Sequence, residues 1–247
     1  METIILSVCP SYRANWEVFE VVREIASNWD SAHQRGFEGF AGERESGHLV
    51  FENQGAKLLR KYLLLGGGEY GELATDIGQF HEGLKLAALT ACRLGLKLHI
   101  INDDEVWDFR LAWSDQWQDT VLHVDIEPCR KKGGVEVHLQ GDVLQGWWDK
   151  NKWKFLFIQP PAREWCGVLD DPHLSGQVFV KGVWVCAPET GGDLMRWGYD
   201  FPTLSLDPNR TRVEIYELAG KVVVALANLW YTPQEAKAGM AVVLGQG

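Results

Sequence analysis

The chain has no pair of cysteines close enough to form a CxxC motif. Its five cysteines lie scattered at Cys9, Cys92, Cys129, Cys166 and Cys186, which excludes a zinc ribbon or a CxxC redox motif. Their odd, dispersed count fits reduced thiols and a cytoplasmic setting. No apolar run approaches the ~18–20 residues of a membrane span. The opening METIILSVCP has neither the basic region nor the apolar length of a signal peptide, so no membrane association is expected. Low-complexity tracts and internal repeats are also lacking. Positive charge is scarce: 24 Lys and Arg stand against 34 Asp and Glu, a net charge of −10. The overall field therefore does not indicate direct nucleic-acid binding. A polyanion would have to be held locally, for instance at helix ends.

What is present is ordinary globular composition, with 46% apolar and 23% charged residues over 247 positions. That length suits one large domain, or one domain plus a smaller one. Residues 15–33 predict an amphipathic helix, because Val18, Val21, Val22, Ile25 and Trp29 share one apolar arc at ~100° per residue. Residues 47–55 predict a short buried strand, residues 56–68 a helix stopped by three glycines, and residues 69–76 a mobile loop. Residues 83–95 predict a strong helix with Gly95 just past its end. Four strands are expected at 96–102, 105–113, 119–126 and 134–140, joined by short turns. They suggest an antiparallel meander with helices on one face. In the second part, residues 143–158 and 213–230 fit either helix or strand, residues 176–188 a hairpin, and residues 199–212 a strand and turn. The expected domains are 1–142 and 143–247.

Three clusters carry candidate chemistry. On the first helix, Glu24 and Asn28 are four residues apart and share a face. Ser31 falls on the same edge, while Asp30 points about 120° away from Glu24. A carboxylate there can take a proton from water, and an amide oxygen beside it can hold Mg²⁺, which keeps several waters and needs few protein ligands. Taken alone, the pair also fits a solvated helix edge. The second cluster is ENQGAKL, at residues 52–58. Asn53 at a buried strand end can read a base edge, and Gly55 lets a ligand approach the backbone. An ordinary strand-to-turn junction would look the same. The third is DIGQFHEGLKLA, at residues 76–87, where Gly78 and Gly83 bracket a turn into a helix and Lys85 adds positive charge. Free first-turn N–H groups favour phosphate, although a glycine-rich helix start is the plainer reading.

Together, E-x-x-x-N on a helix, N-x-G after a strand, a loop, and G-x-F-x-x-G-x-K into a helix resemble the GHKL ATPase superfamily over about residues 15–140. That group includes gyrase B subunits, mismatch-repair ATPases, histidine kinases and the ninety-kilodalton heat-shock chaperones. The IGQF stretch and the glycine-entered helix look most like the chaperone branch. The resemblance implies an α+β fold: a two-layer sandwich of the Bergerat type, with a mixed, mostly antiparallel sheet and helices on one face. A small α/β transducer-like region would follow, either a compact version or part of a longer one. It implies ATP and Mg²⁺ as ligands, ATP hydrolysis with lid closure, and coupling to conformational change or homodimerisation. A nucleotide-binding switch with little turnover is the alternative.

Carried over by motif, Glu24 matches the general base and Asn28 the Mg²⁺ ligand. Asn53 matches the adenine-amino acceptor, and Gly55 the glycine beside the base. Residues 66–77 match the lid, and Ile77, Gly78, Phe80 and Gly83 the second glycine box, with Lys85 one turn into its helix. Several positions depart from the pattern: Asn53 replaces the usual Asp, Lys57 a glycine, Ser31 an Asp and His81 a glycine, and KKGGVEV lacks the usual Thr. The amide of Asn53 could be turned to donate instead of accept. Lys181, Arg210 and Arg212 are candidates to reach a terminal phosphate from the second region.

Overall fold

The computed structural model describes residues 1–63, 82–131, 133–188, 196–206 and 213–231. The expected lid 66–77, the site candidates Ile77, Gly78 and Phe80, and Arg210 and Arg212 lie outside them. The chain divides into two compact units, Met1–Asn151 and Lys152–Gly247. The division falls at 151/152, later than the expected 142/143, because a short helix at Trp147–Asn151 stays with the first unit.

The first unit is α+β. Its strands are β1 (Glu2–Leu6), β2 (Ala41–Glu45), β3 (His48–Gln54), β4 (Lys97–Asn102), β5 (Glu105–Ser114), β6 (Asp119–Pro128) and β7 (Gly134–Gln140). They form one sheet in the order β1-β6-β5-β4-β7-β3-β2. Every pairing in it is antiparallel, which corrects the expected mixed sheet. The expected meander holds only from β4 to β6. β7 does not join β6, whose other edge is taken by β1; it enters between β4 and β3. β1 and β2 were not anticipated. β1 is only five residues long and pairs with a strand more than a hundred residues away, a partnership that local pattern does not encode.

One face of the sheet is apolar. Leu49 and Phe51, Leu98 and Ile100, Trp107, Leu122 and Val124, and Leu139 are all buried there. They meet α1 (Val18–Gln34) and α2 (Gly83–Arg93). α1 packs on α2 and β3, and α2 on β4 and β5. α1 begins where Glu20 Oε2 accepts a hydrogen bond from the Glu17 N–H at 2.9 Å, supplying a partner that the helix start otherwise lacks. α2 ends in a Schellman motif: Gly95 (φ +72°) donates to Cys92 O and Leu96 to Ala91 O. Glycine reaches that left-handed conformation without a Cβ clash.

The expected helix over 56–68 is not formed in its described part, where only Arg60–Leu63 makes a 3₁₀ turn. Side chains hold this stretch open. Asn102 bonds both the N–H and the carbonyl of Leu58 at 2.9 Å. Lys57 pairs with Asp103, and Arg60 with Glu2 and Glu105.

The second unit has a sheet in the order β11-β10-β12-β9-β8: β8 (Glu164–Trp165), β9 (Val168–Leu169), β10 (Val178–Val180), β11 (Val183–Cys186) and β12 (Gly198–Phe201). β10 and β12 run parallel. The expected hairpin at 176–188 is β10–β11. Its turn pair Lys181-Gly182, like Cys166-Gly167 between β8 and β9, has positive φ at both positions, as tight hairpins demand. Residues 215–231 form the helix α4 (Ile215–Tyr231). Leu218, Val222 and Ala225 of α4 pack on Val178, Tyr199 and Phe201. The other ambiguous stretch, 143–158, holds the short helix α3 (Trp147–Asn151) with single 3₁₀ turns on either side. Among the described residues, no helix is long and apolar enough to cross a membrane.

Candidate functional site

Glu24 lies near the middle of α1 and is buried, with 6% of its surface exposed. Its neighbour Arg23 is equally enclosed and donates from Nε (3.0 Å) and Nη2 (2.9 Å) to Glu24 Oε1. The guanidinium also stacks over Trp16 and Phe19, so its planar cation is shielded by aromatic faces. The helix was expected to show an apolar side and a polar edge. It is instead enclosed from Val21 to Ser27, and the two charges neutralise one another inside that enclosure.

The other carboxylate oxygen of Glu24 faces α2. A Cβ added to Gly83 would overlap Glu24 Oε2 and lie 3.3 Å from its Cδ. Glu24 therefore rests on the first residue of α2, where any side chain would displace its carboxylate. The helix starts without a side-chain cap at Glu82, so the positive end of the α2 dipole lies beside this carboxylate. Lys85, in the same first turn, is 1% exposed, and burial lowers its pKa, opposed in part by Glu82. With Glu82 beside Lys85 and Arg23 paired to Glu24, this corner brings together two cations and two anions. Asn28 sits one turn beyond Glu24 and is exposed to solvent. Among the described residues, no group of three or more His, Cys, Asp or Glu side chains is arranged to hold a metal. An oxygen donor such as Asn28 suits a hard ion that keeps most of its waters and takes further ligands from a bound phosphate.

The end of β3 forms a second corner on the same helix. Asn53 is buried, and its Nδ2 donates to Trp29 O at 3.2 Å and Phe37 O at 3.0 Å. With both partners being carbonyls, the amide orientation is set by the network, and Oδ1 is left in the acceptor role. Trp29 reinforces the corner by donating from Nε1 to Glu52 O at 2.9 Å. Gly55 has φ +75° and donates to Gly133 O at 3.0 Å. A Cβ on Gly134 would come within 2.7 Å of Asn53 O. The Gly133–Gly134 pair thus lets β7 begin against the end of β3.

The positions that differ from the resembled pattern make local contacts of their own. Lys57 reaches Asp103 at 3.1 Å, and Asp103 Oδ1 also accepts from Gly133 N. Lys57 thereby braces the turn carrying the glycine pair. Asp30 is buried and accepts from Gln34, and burial raises its pKa above the usual carboxylate range. Ser31 is half-buried. Lys181 occupies the β10–β11 turn of the second unit.

Sequence reasoning missed Arg23, although it is the only cation in VVREIASNWDSA. It also missed the opposite face of the sheet. There, Glu136 Oε2, His138 and His48 form a hydrogen-bonded chain at 3.0 and 3.1 Å, and His99 stacks on His138 at 4.5 Å. Lys131 pairs with Glu136. Burial, then the nearby His48 and cations, push the His138 pKa down to about 4. The alternation of charged and apolar residues in GVEVHLQ was the available signal for this face. Comparison of the chain with protein-family models and with curated proteins finds no match.

Proposed function

We propose that the first unit binds Mg²⁺–ATP and hydrolyses it in the manner of a GHKL ATPase, coupling turnover to conformational change or homodimerisation. The observation that carries this reading is the contact of Glu24 with Gly83, which joins the first and third sequence clusters at an uncapped helix start. The second cluster meets the same helix through Asn53 and Trp29.

In this reading the adenine amino group donates to Asn53 Oδ1, and Gly55 lets the base approach the backbone. Phosphates lie at the start of α2, with Gly83 and Lys85, and the resemblance adds Ile77, Gly78 and Phe80. Residues 66–77 act as the lid. Asn28 would hold Mg²⁺, which when bound supplies charge neutralisation for the phosphates. Glu24 takes the proton from the attacking water, and Arg23 holds its carboxylate in place.

Replacing Glu24 with Ala tests the reading. Phosphate release should fall to background while calorimetry still detects Mg²⁺–ATP binding. Equal turnover in the variant removes Glu24 from the mechanism.

The alternative is a nucleotide-binding switch with little turnover. It is favoured by the two Arg23 donors already on Glu24 Oε1. ATP binding without phosphate release from the unaltered protein selects it.

A further inference from the structure

We infer that Asn53 has a second role as a clasp: its amide closes α1 and the 37–40 stretch onto β3, so an ionised carboxylate cannot replace it here. The stretch from Phe37 to Phe40 runs beside β3. Gln54 N donates to Glu38 O at 2.7 Å and Glu52 N to Phe40 O at 2.6 Å. Gly39 is pressed so tightly against Glu52 that a Cβ there would overlap the Glu52 carbonyl. These contacts hold the Phe37 carbonyl, and the helix holds that of Trp29. Both point at the Asn53 amide, 3.0 and 3.2 Å away. An Asp at this position would set a carboxylate oxygen against two carbonyl oxygens. It would have to stay protonated and donate to one of them, or push the 37–40 stretch away.

Two consequences follow. Asn53 presents only an acceptor to a ligand, because both amide hydrogens are engaged. A purine bearing a 6-amino group then fits, whereas a 6-oxo group would meet a second acceptor. The aspartate that the family resemblance expects here would also weaken this protein. The nucleotide consequence rests on the ATP reading; the clasp does not.

The experiment compares the unaltered chain with Asn53→Asp and Asn53→Ala, first without ligand. Thermal stability is followed from pH 5 to pH 8. The folded Asp carboxyl titrates above its unfolded value of ~3.9. Its variant is therefore most stable at acid pH and loses stability as pH rises through the raised value. The Asn53→Ala variant should lie below the unaltered chain by a constant amount. Asp30 and His33 on α1, Glu38, Glu52 on β3 and Glu136 on β7 are common to all three proteins, so their titration cancels in the difference. If Asn53→Asp folds at pH 5 and not at pH 8, that is the same result in stronger form. Asn53→Asp matching the unaltered chain at every pH overturns the clasp. So do Asn53 side-chain N–H resonances that exchange with solvent as fast as an exposed amide; the Asn53→Ala spectrum assigns them.

Calorimetry at pH 8 then reads the second consequence. The unaltered chain should bind ATP about tenfold or more tightly than GTP. Tighter binding of GTP overturns the acceptor assignment. Failure of the unaltered chain to bind either nucleotide defeats the ATP reading, and the stability comparison then decides the clasp alone.

Discussion

Replacing Gly83 with Ala separates catalysis from folding, because the nearest described atoms that the added methyl group meets belong to the Glu24 side chain. Its three nearest neighbours are Oε2, Cδ and Cβ of Glu24, the last at 3.6 Å. To regain ordinary van der Waals distance, Oε2 must withdraw by on the order of 1 Å. Gly83 is helical, with no positive φ. Alanine there gains up to ~1 kcal/mol in helix preference over glycine. That gain offsets the cost of shifting a carboxylate that two Arg23 donors still hold. Net stability should stay within ~1 kcal/mol of the unaltered protein, a change of only a few degrees in Tm at this size. Hydrolysis should respond far more strongly, since a displacement of about 1 Å in a catalytic group can cost ~10²-fold in rate. The assays are thermal denaturation, calorimetry with Mg²⁺–ATP, and phosphate release under saturating nucleotide. Unchanged turnover with unchanged binding would falsify the idea that Gly83 positions Glu24. A large loss of Tm would show instead that Gly83 serves packing.

Two predictions concern pH. His138 has a folded-state pKa of about 4, below the unfolded value of ~6.5, so the unfolded chain binds more protons between the two. Stability should be full above pH 6.5 and fall as the pH drops toward 4, and His138→Asn should flatten that slope in a urea titration series; an unchanged slope refutes the assignment. Asp200 in the second unit titrates at about 6, raised by burial although its carboxylate accepts from Gly182 N at 3.0 Å. Here the sign is opposite: its contribution is greatest below ~3.9 and is lost as pH rises through 6. Asp200→Asn, whose amide oxygen can still accept from Gly182, should raise Tm at pH 8 and do little at pH 4. A lower Tm at pH 8 would mean that the ionised carboxylate is what the turn needs.

Much of the fold was legible because it is local. The period of the apolar residues marked α1, alternation marked β5, β6 and β7, and Gly95 marked the end of α2. In its described part, residues 56–63, the expected helix at 56–68 failed for a reason no window of sequence contains. Asn102, Glu105 and Glu2 reach in from β4, β5 and β1, and Asp103 from the turn after β4, and hold Leu58, Lys57 and Arg60 in an open path. The order of the sheet was hidden likewise, since β7 pairs with β3 and β4 and not with β6, the strand before it in the chain. Lys57 and Gly133–Gly134 looked like defects in a motif. In the fold they brace one turn through Asp103.

By itself, the sequence determined which residue types stand at which helical and strand positions: Glu24 and Asn28 one turn apart, Asn53 at a strand end, and Gly83 at a helix start. Spacing along a regular element is set by backbone geometry, so it survives any packing. Only the tertiary structure decided what those residues meet. Arg23 takes one oxygen of Glu24, Gly83 lies under the other, and two carbonyls turn the Asn53 amide so that its oxygen is left as an acceptor. Apart from the pairing of Arg23 with its own neighbour, these contacts join residues far apart in the chain, and their distances follow from how α1, α2 and β3 pack.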